Sequence, residues 1–279
     1  MIRRRATAWL LPQIMGALFA LGAFVSGPAG AQTQTQSLPD TWKFDAYIYG
    51  YFPELGGSTT FPGGTTASIS VDPHQLISNL KFTFMGWLAA QKGPWGMFTD
   101  VIYVDVSGSK TATRDLNIAG VTIPAGITAD ANLDLKTTLW TLAGSYRFVD
   151  TPQAGFDLLA GARYIDMKQN LGFQLSADVP PFVGPGRQGS KELRLQNWDA
   201  IVGAKGRYNF GERREWYVPY YIDVGTGQDR LTWQAFAGIG YAFSWGDVIA
   251  VWRYIDYRFY NGDSNLTMNG PAIGAGFHW

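Results

Sequence analysis

The sequence contains no cysteine, which excludes disulfides and thiolate metal sites and leaves packing and hydrogen bonding to hold the chain together. Histidine is nearly absent too: His74 and His278 are the only two in 279 residues, so imidazole chemistry has few places to sit. There is no excess of charge of either sign, because 22 Lys and Arg balance 22 Asp and Glu, and that removes the basic footprint a nucleic-acid partner would need. Past about residue 25 there is no apolar run of helix-spanning length, so a helical membrane bundle is excluded as well. What is abundant is glycine, at 34 residues, and aromatic side chains, at 15% of the chain against 16% charged. Many aromatics without long apolar runs point to strands.

The first residues need separate treatment. MIRRR is a basic start, Ala8 to Val25 is mostly apolar, and Ala29-Gly30-Ala31 precedes Gln32 with small residues where a signal peptidase reads. Residues 1–31 are expected to be a signal peptide, leaving 32–279 as one mature domain. The alternative is an uncleaved anchor, but Pro12 and Gln13 interrupt an apolar run that is barely long enough to span.

Period-two alternation is clearest from Leu195 to Phe210. Trp198, Ala200, Val202, Ala204, Tyr208 and Phe210 fall on one face, and Asn197, Asp199, Ile201, Gly203, Lys205, Arg207 and Asn209 on the other. Such alternation predicts a strand with an apolar and a polar side. Comparable segments, bounded by glycine, proline and polar clusters, fall at about 42–52, 81–91, 95–107, 131–148, 155–175, 193–210, 216–226, 230–243, 247–260 and 266–279. Connections near 91–95, 148–155, 210–216 and 243–247 are short, whereas 53–80, 107–130 and 176–192 are long. An even strand number with short turns at one end and long loops at the other predicts an all-β, antiparallel, up-and-down transmembrane barrel of ten strands, both termini in the periplasm. Eight or twelve strands stay open, since Thr65 to Val71 and Asn117 to Ile123 could form extra hairpin arms.

A soluble ligand-binding barrel would turn the same apolar face inward. Three features favour the membrane orientation: glycines such as Gly270, Gly274 and Gly276 on the polar face of the last strand, aromatics gathered near strand ends, and a chain that stops on Phe277-His278-Trp279. This ending resembles the C-terminal assembly signal of Gram-negative outer-membrane barrels, with Ile273, Ala275, Phe277 and Trp279 at the matching positions. From TWKFDAYIYGYF through LLAGARYIDM to GPAIGAGFHW, the mature chain also resembles a largely uncharacterised family of proteobacterial outer-membrane β-barrel proteins. The resemblance implies residence in the outer membrane, contact with its lipid and lipopolysaccharide, and handling by the barrel assembly machinery. It brings no catalytic residues and no cofactor.

A tyrosine, aliphatic, aspartate string occurs four times, at Tyr103-Val104-Asp105, Tyr164-Ile165-Asp166, Tyr221-Ile222-Asp223 and Tyr254-Ile255-Asp256. All four lie on strands that run outward, so Tyr103, Tyr164, Tyr221 and Tyr254 are expected to form an outward-facing ring at the membrane interface. The opposite parity places Arg163 and Arg253 in the lumen with Asp45, Asp100, Asp157, Asp199, Lys205 and Arg207, because a charge facing lipid at mid-depth costs about 2–4 kcal/mol. Two readings of that lattice stand side by side: structural filling of a narrow barrel, or a selectivity lining for small hydrophilic solutes.

Chemistry beyond this is sparse. In VDPHQLISNLKF, Asp72 can cap and Pro73 can open a short helix whose Leu76, Ile77 and Leu80 form an apolar side. His74 and Ser78 would then share a helical face. A plug or lid at the barrel mouth is preferred over a hydrolytic pair, since the segment is a connection and not wall. His278 is assigned a structural place in the assembly strand. No metal or nucleotide motif is present. The PPFVGPG segment at 180–186, with Arg187, Lys191 and Arg194 beside it, reads as a solvated loop in preference to a contact for lipopolysaccharide phosphates or an external partner. The function expected from sequence is thus that of a monomeric, non-enzymatic, porin-like barrel, either structural or slowly permeable. The alternative is a surface-interaction protein acting through its long loops, with a lipid-modifying hydrolase a weaker third.

Overall fold

Alternating, glycine-bounded runs assemble, in the computed structural model of this chain, into a closed antiparallel barrel of ten strands. The structure describes residues 41–61, 65–71, 73–74, 80–112, 117–118, 121–122, 127–177, 187–228, 231–259 and 264–279. The chain divides into units Met1–Ser37 and Leu38–Trp279. The first, with the expected signal peptide, lies outside the described residues.

The elements are β1 (Lys43–Tyr51), β2 (Glu54–Phe61), β3 (Thr65–Val71), β4 (Leu80–Lys92), β5 (Trp95–Ala112), β6 (Asn117–Ile118), β7 (Val121–Thr122), β8 (Ile127–Asp150), β9 (Ala154–Ala177), β10 (Arg187–Phe210), β11 (Trp216–Gly227), β12 (Leu231–Ala242), β13 (Asp247–Arg258) and β14 (Asn265–His278). The wall runs β1-β4-β5-β8-β9-β10-β11-β12-β13-β14 and closes where β14 pairs with β1, from Asp45 opposite His278 to Tyr51 opposite Ala272. Closure leaves the wall no free edge at the seam, as a spanning sheet requires.

The first connection differs from the expected loop. After β1 the chain kinks at Phe52-Pro53 and continues along β14 as β2, which pairs Glu54 to Ser58 with Asn269 to Asn265 before folding back as β3. Proline has no N–H for the ladder, so an interruption belongs there. Phe52 still donates its N–H to the Pro271 carbonyl at 2.9 Å. The Thr65–Val71 and Asn117–Thr122 segments do pair locally, but as β2-β3 and β6-β7 arms outside the barrel count. Pro73 and His74 are helical and residues 75–79, Ser78 included, lie outside the described residues, but Leu80, expected on the helix's apolar side, is instead the first residue of β4 and pairs with Val106.

Two other expected loops are shorter than read. β8, β9 and β10 each run 24 residues, far beyond the 9–11 a tilted strand needs to span. β5, β8, β9 and β10 therefore rise above the membrane as a sheet, while β11, β12 and β13 stop after 12 residues each. The sequence between the girdles and the loops alternates less cleanly there, which hid the extensions.

The outer surface carries the apolar belt, with Ile48, Leu88, Val202, Ile222, Trp252 and Ile273 all exposed. Aromatic pairs bound it below, such as Trp95 with Tyr146 at 5.0 Å and Trp216 with Tyr241 at 4.8 Å. Above, Trp140, Tyr164 and Trp198 stand directly opposite one another on β8, β9 and β10, with Tyr164 and Trp198 rings 4.8 Å apart. From Trp198 to Tyr208 along β10, about 3.3 Å per residue at about 40° of tilt gives a band of about 25 Å, the height expected of a lipid-facing belt.

Candidate functional site

The barrel interior is the candidate site, and its content follows from which parity of each strand faces inward. It is stacked in four layers.

At the end of the barrel that carries the short turns and the C-terminus, His278 of β14 sits between two carboxylates. Its Nδ1 is 2.6 Å from Asp45 Oδ1 and its Nε2 is 2.9 Å from Asp247 Oδ2. Tyr47 and Tyr217 both donate their hydroxyls to Asp247 Oδ2, at 3.0 and 2.7 Å. The two rings fit because the wall is glycine beneath them: a Cβ at Gly276 would collide with the Tyr47 ring, and one at Gly240 with the Tyr217 ring. Arg207 lies over the Tyr217 ring at 5.3 Å. On the other side of this floor Asp157 accepts from Arg147 Nε at 2.6 Å and from Lys205 Nζ at 2.8 Å. Arg147 follows the inward parity of Ala143 and Ser145, and Phe148 faces out at the register shift that comes just after it.

Above the floor lies an aromatic cluster. Trp87 stacks on Phe98 at 4.2 Å, Tyr221 stacks on Phe236 at 5.3 Å, and Phe98 meets Tyr221 edge-on at 6.1 Å. Leu159, Ile201 and Ala143 pack against them.

The third layer, level with the outer aromatic row, holds two ion pairs. Arg163 donates to Asp223 and, at 3.3 Å each, to the hydroxyls of Thr141 and Thr232. Arg253 donates to Asp100 Oδ2 at 2.5 Å, to Gln234 Oε1 at 2.9 Å and to the Tyr49 hydroxyl at 2.9 Å, while Tyr49 donates in turn to Asp100 Oδ1 at 2.5 Å. Both side chains of the first pair are 0% exposed, and those of the second 4% and 2%. Asp199 is buried in the same layer, opposite Arg163 on the neighbouring strand. The fourth layer is apolar again: Ile102, Leu139, Ile165, Met167, Ile255 and Met268 belong to one buried cluster that fills the base of the raised sheet.

Asp45, Asp100, Asp157, Arg163, Asp199, Lys205, Arg207 and Arg253 thus all point into the barrel, but in separate layers and not as one lattice. An interior lined throughout by charge is corrected by the two apolar layers, whose residues have the same inward parity as the charges. The ring of tyrosines also needs correction. Tyr103, Tyr164 and Tyr254 face outward, but Tyr221 is 2% exposed and lies in the aromatic cluster, and Asp223 is the carboxylate that holds Arg163. On β11 the outward residues are Trp216, Val218, Ile222 and Val224, so lipid-facing parity falls one residue away from the string. Sequence reading also missed Arg147, Asp247, Tyr47, Tyr49 and Gln234 as interior polar groups. For Asp247 and Tyr47 the signal was available, since they share inward parity with Arg253 and Asp45.

Ile273, Phe277 and Trp279 of the last strand are exposed on its outer face. His74 is described only as part of a helical turn, and its Ser78 partner lies outside the described residues. Among the described residues no group of histidine, aspartate and glutamate side chains is arranged to hold a metal ion.

No family model matches the chain, and no curated protein matches it. Among solved structures it is similar to the outer-membrane protease OmpT from Escherichia coli, at 11% identity and a TM-score of 0.49, over 88% of this chain and 99% of that one. It is also similar to the translocator domain of the autotransporter NalP from Neisseria meningitidis, at 14% identity and a TM-score of 0.42, over 85% and 88% of the two chains. A third is the attachment invasion locus protein Ail of Yersinia pestis, at 12% identity and a TM-score of 0.29, over 86% and 99%. These likenesses concern fold. Closure without a free seam, an apolar belt facing outward and aromatic rows at both of its edges make the protein a transmembrane β-barrel of the Gram-negative outer membrane.

Proposed function

We propose that the protein is a closed barrel that carries a raised sheet above the outer membrane as an interaction surface, and that it is not an open diffusion pore. The observation that supports this reading is the burial of the third layer. A water-filled channel would leave its lining charges accessible to water, yet both side chains of the Arg163–Asp223 pair have no accessible surface and Arg253 and Asp100 almost none. The apolar cluster above them adds a second seal. The raised part of β5, β8, β9 and β10 is then what the molecule offers to its surroundings, and the barrel is its anchor. In this reading residues 1–31 direct export, the lipid-facing last strand engages the assembly machinery, the protein works as a monomer, and no reaction is assigned.

The test is conductance of the refolded chain 32–279 in planar lipid bilayers, with an Arg163→Ala/Arg253→Ala variant alongside. A silent wild-type barrel, with current only in the variant, is the expected result. Discrete steps in the wild type, with an ion selectivity that shifts in the variant, would instead establish a pore lined by those arginines.

A further inference from the structure

We propose that Lys136, Lys168 and Arg194 form a binding row for phosphate groups carried by the glycolipid of the outer leaflet. The three residues belong to adjacent strands of the raised sheet and stand in one register, Lys136 opposite Lys168 and Lys168 opposite Arg194. Each lies four residues beyond a member of the outer aromatic row, Trp140, Tyr164 and Trp198. Even spacing keeps the cations on the same outward face as the aromatics. Four residues at about 3.3 Å each and about 40° of tilt lift the row about 10 Å above the aromatics. The headgroup layer of a phospholipid leaflet is only about 5–8 Å deep. The cations therefore stand at or beyond its outer edge, where phosphates borne on sugars reach and glycerol-linked ones do not.

Like charges directly opposite one another oppose strand pairing, so three cations in one row call for anions. Two are partly provided: Asp105 is 3.0 Å from Lys136, and Asp166 is 2.8 Å from Arg194. Lys168, in the middle, has no carboxylate within ion-pair distance among the described residues. Above it on the same face is exposed Asn170, whose amide can donate to the same anion. Asp134 and Glu192 flank Asn170 in register. With Asp166, two residues below Lys168 on the same face and paired with Arg194, they confine the site to a phosphate seated at the level of Lys168 itself, where the outer cations still have N–H groups to offer. Strands are about 4.8 Å apart, so the row is about 10 Å wide, enough for one or two phosphates.

The experiment is binding of the refolded protein to lipopolysaccharide vesicles, to vesicles of the same lipopolysaccharide after enzymatic dephosphorylation, and to phosphatidylglycerol vesicles. Each cation near a charged surface contributes about fivefold to affinity. Lys168→Gln should therefore weaken lipopolysaccharide binding severalfold, and Lys136→Gln/Lys168→Gln/Arg194→Gln at least about tenfold, in a salt-sensitive way. Dephosphorylated lipopolysaccharide should bind all variants alike, and Asp134→Asn/Glu192→Gln should strengthen binding to the phosphorylated form. Unchanged affinity in the triple variant, migrating as a folded barrel, overturns the proposal. Equal dependence on the row for phosphatidylglycerol overturns the glycolipid assignment.

Discussion

Replacing Arg253 with methionine keeps much of the side-chain volume but removes three hydrogen bonds and the charge opposite Asp100. Asp100 is then left buried with only the Tyr49 hydroxyl, 2.5 Å away, as partner. Stripping one member from a buried ion pair costs about 3–5 kcal/mol, and the retained tyrosine bond, worth about 1 kcal/mol, moves the expected loss to the lower end, about 3 kcal/mol. Arg253→Met/Asp100→Asn removes both charges and should lie within about 1 kcal/mol of the wild type, because the buried pair itself contributes little net stability. Equilibrium urea unfolding in lipid vesicles, followed by tryptophan fluorescence, measures both. A single-variant loss under about 1 kcal/mol, the range of solvated pairs, would mean that water reaches Asp100. That outcome would refute the sealed interior and with it the reading of the barrel as an anchor.

Three further outcomes follow from the same geometry. His278→Ala removes a contact to Asp45 across the closing seam and one to Asp247 on the neighbouring β13; with His278 about one-third exposed, a loss of about 1–2 kcal/mol should appear as a lower temperature for loss of the folded band on unboiled gels. Val202→Arg places a charge midway down the lipid-facing side of β10 and should cost about 2–4 kcal/mol in vesicle unfolding, whereas Glu192→Arg, on the same strand and face above the membrane, should cost under about 0.5 kcal/mol. Asp223 Oδ1 and Gln234 Nε2 belong to directly opposed residues and neither has a hydrogen-bond partner. A crystal structure should show an ordered water about 2.7–3.2 Å from each, and a direct Asp223–Gln234 bond in its place would refute this.

The strand inventory was legible because its signals are local. Glycine and proline mark the short turns at Lys92–Trp95 and Phe210–Trp216, and period-two alternation survives wherever one face meets lipid. Above the membrane the alternation continues with its faces exchanged, Asp134, Lys136 and Lys168 looking outward and Leu135 and Met167 in, so strands were legible over about 131–148 and 155–175. Legibility fades beyond them, at Ile127–Asp130 and Arg187–Glu192, whose pairing depends on partners that local alternation does not show. The β2-β3 arm was half visible for the same reason, since Thr65–Val71 reads as a strand but its pairing with β2 depends on β14 carrying the chain past Pro53.

The interior was legible by parity and misread by chemistry. Parity needs one lipid-facing residue per strand to be assigned correctly, and on β9 and β13 Tyr164 and Tyr254 supply it. On β11 the string YYID offers two tyrosines in succession, Tyr220 and Tyr221, and the choice between them decides the whole strand. The polar partners settle it: Asp223 facing lipid would set a charge in the apolar belt, a cost of about 2–4 kcal/mol, whereas Asp223 facing inward reaches Arg163 and brings Tyr221 over Phe236. A carboxylate that would otherwise face lipid, and that a buried arginine can reach, is therefore a constraint on the strand that carries it. Applied to Arg253 the same rule selects Asp100 on β5, across the barrel and 153 residues away in sequence, so the two arginines fix the inward parity of β5 and β11 more firmly than the repeated tyrosines do.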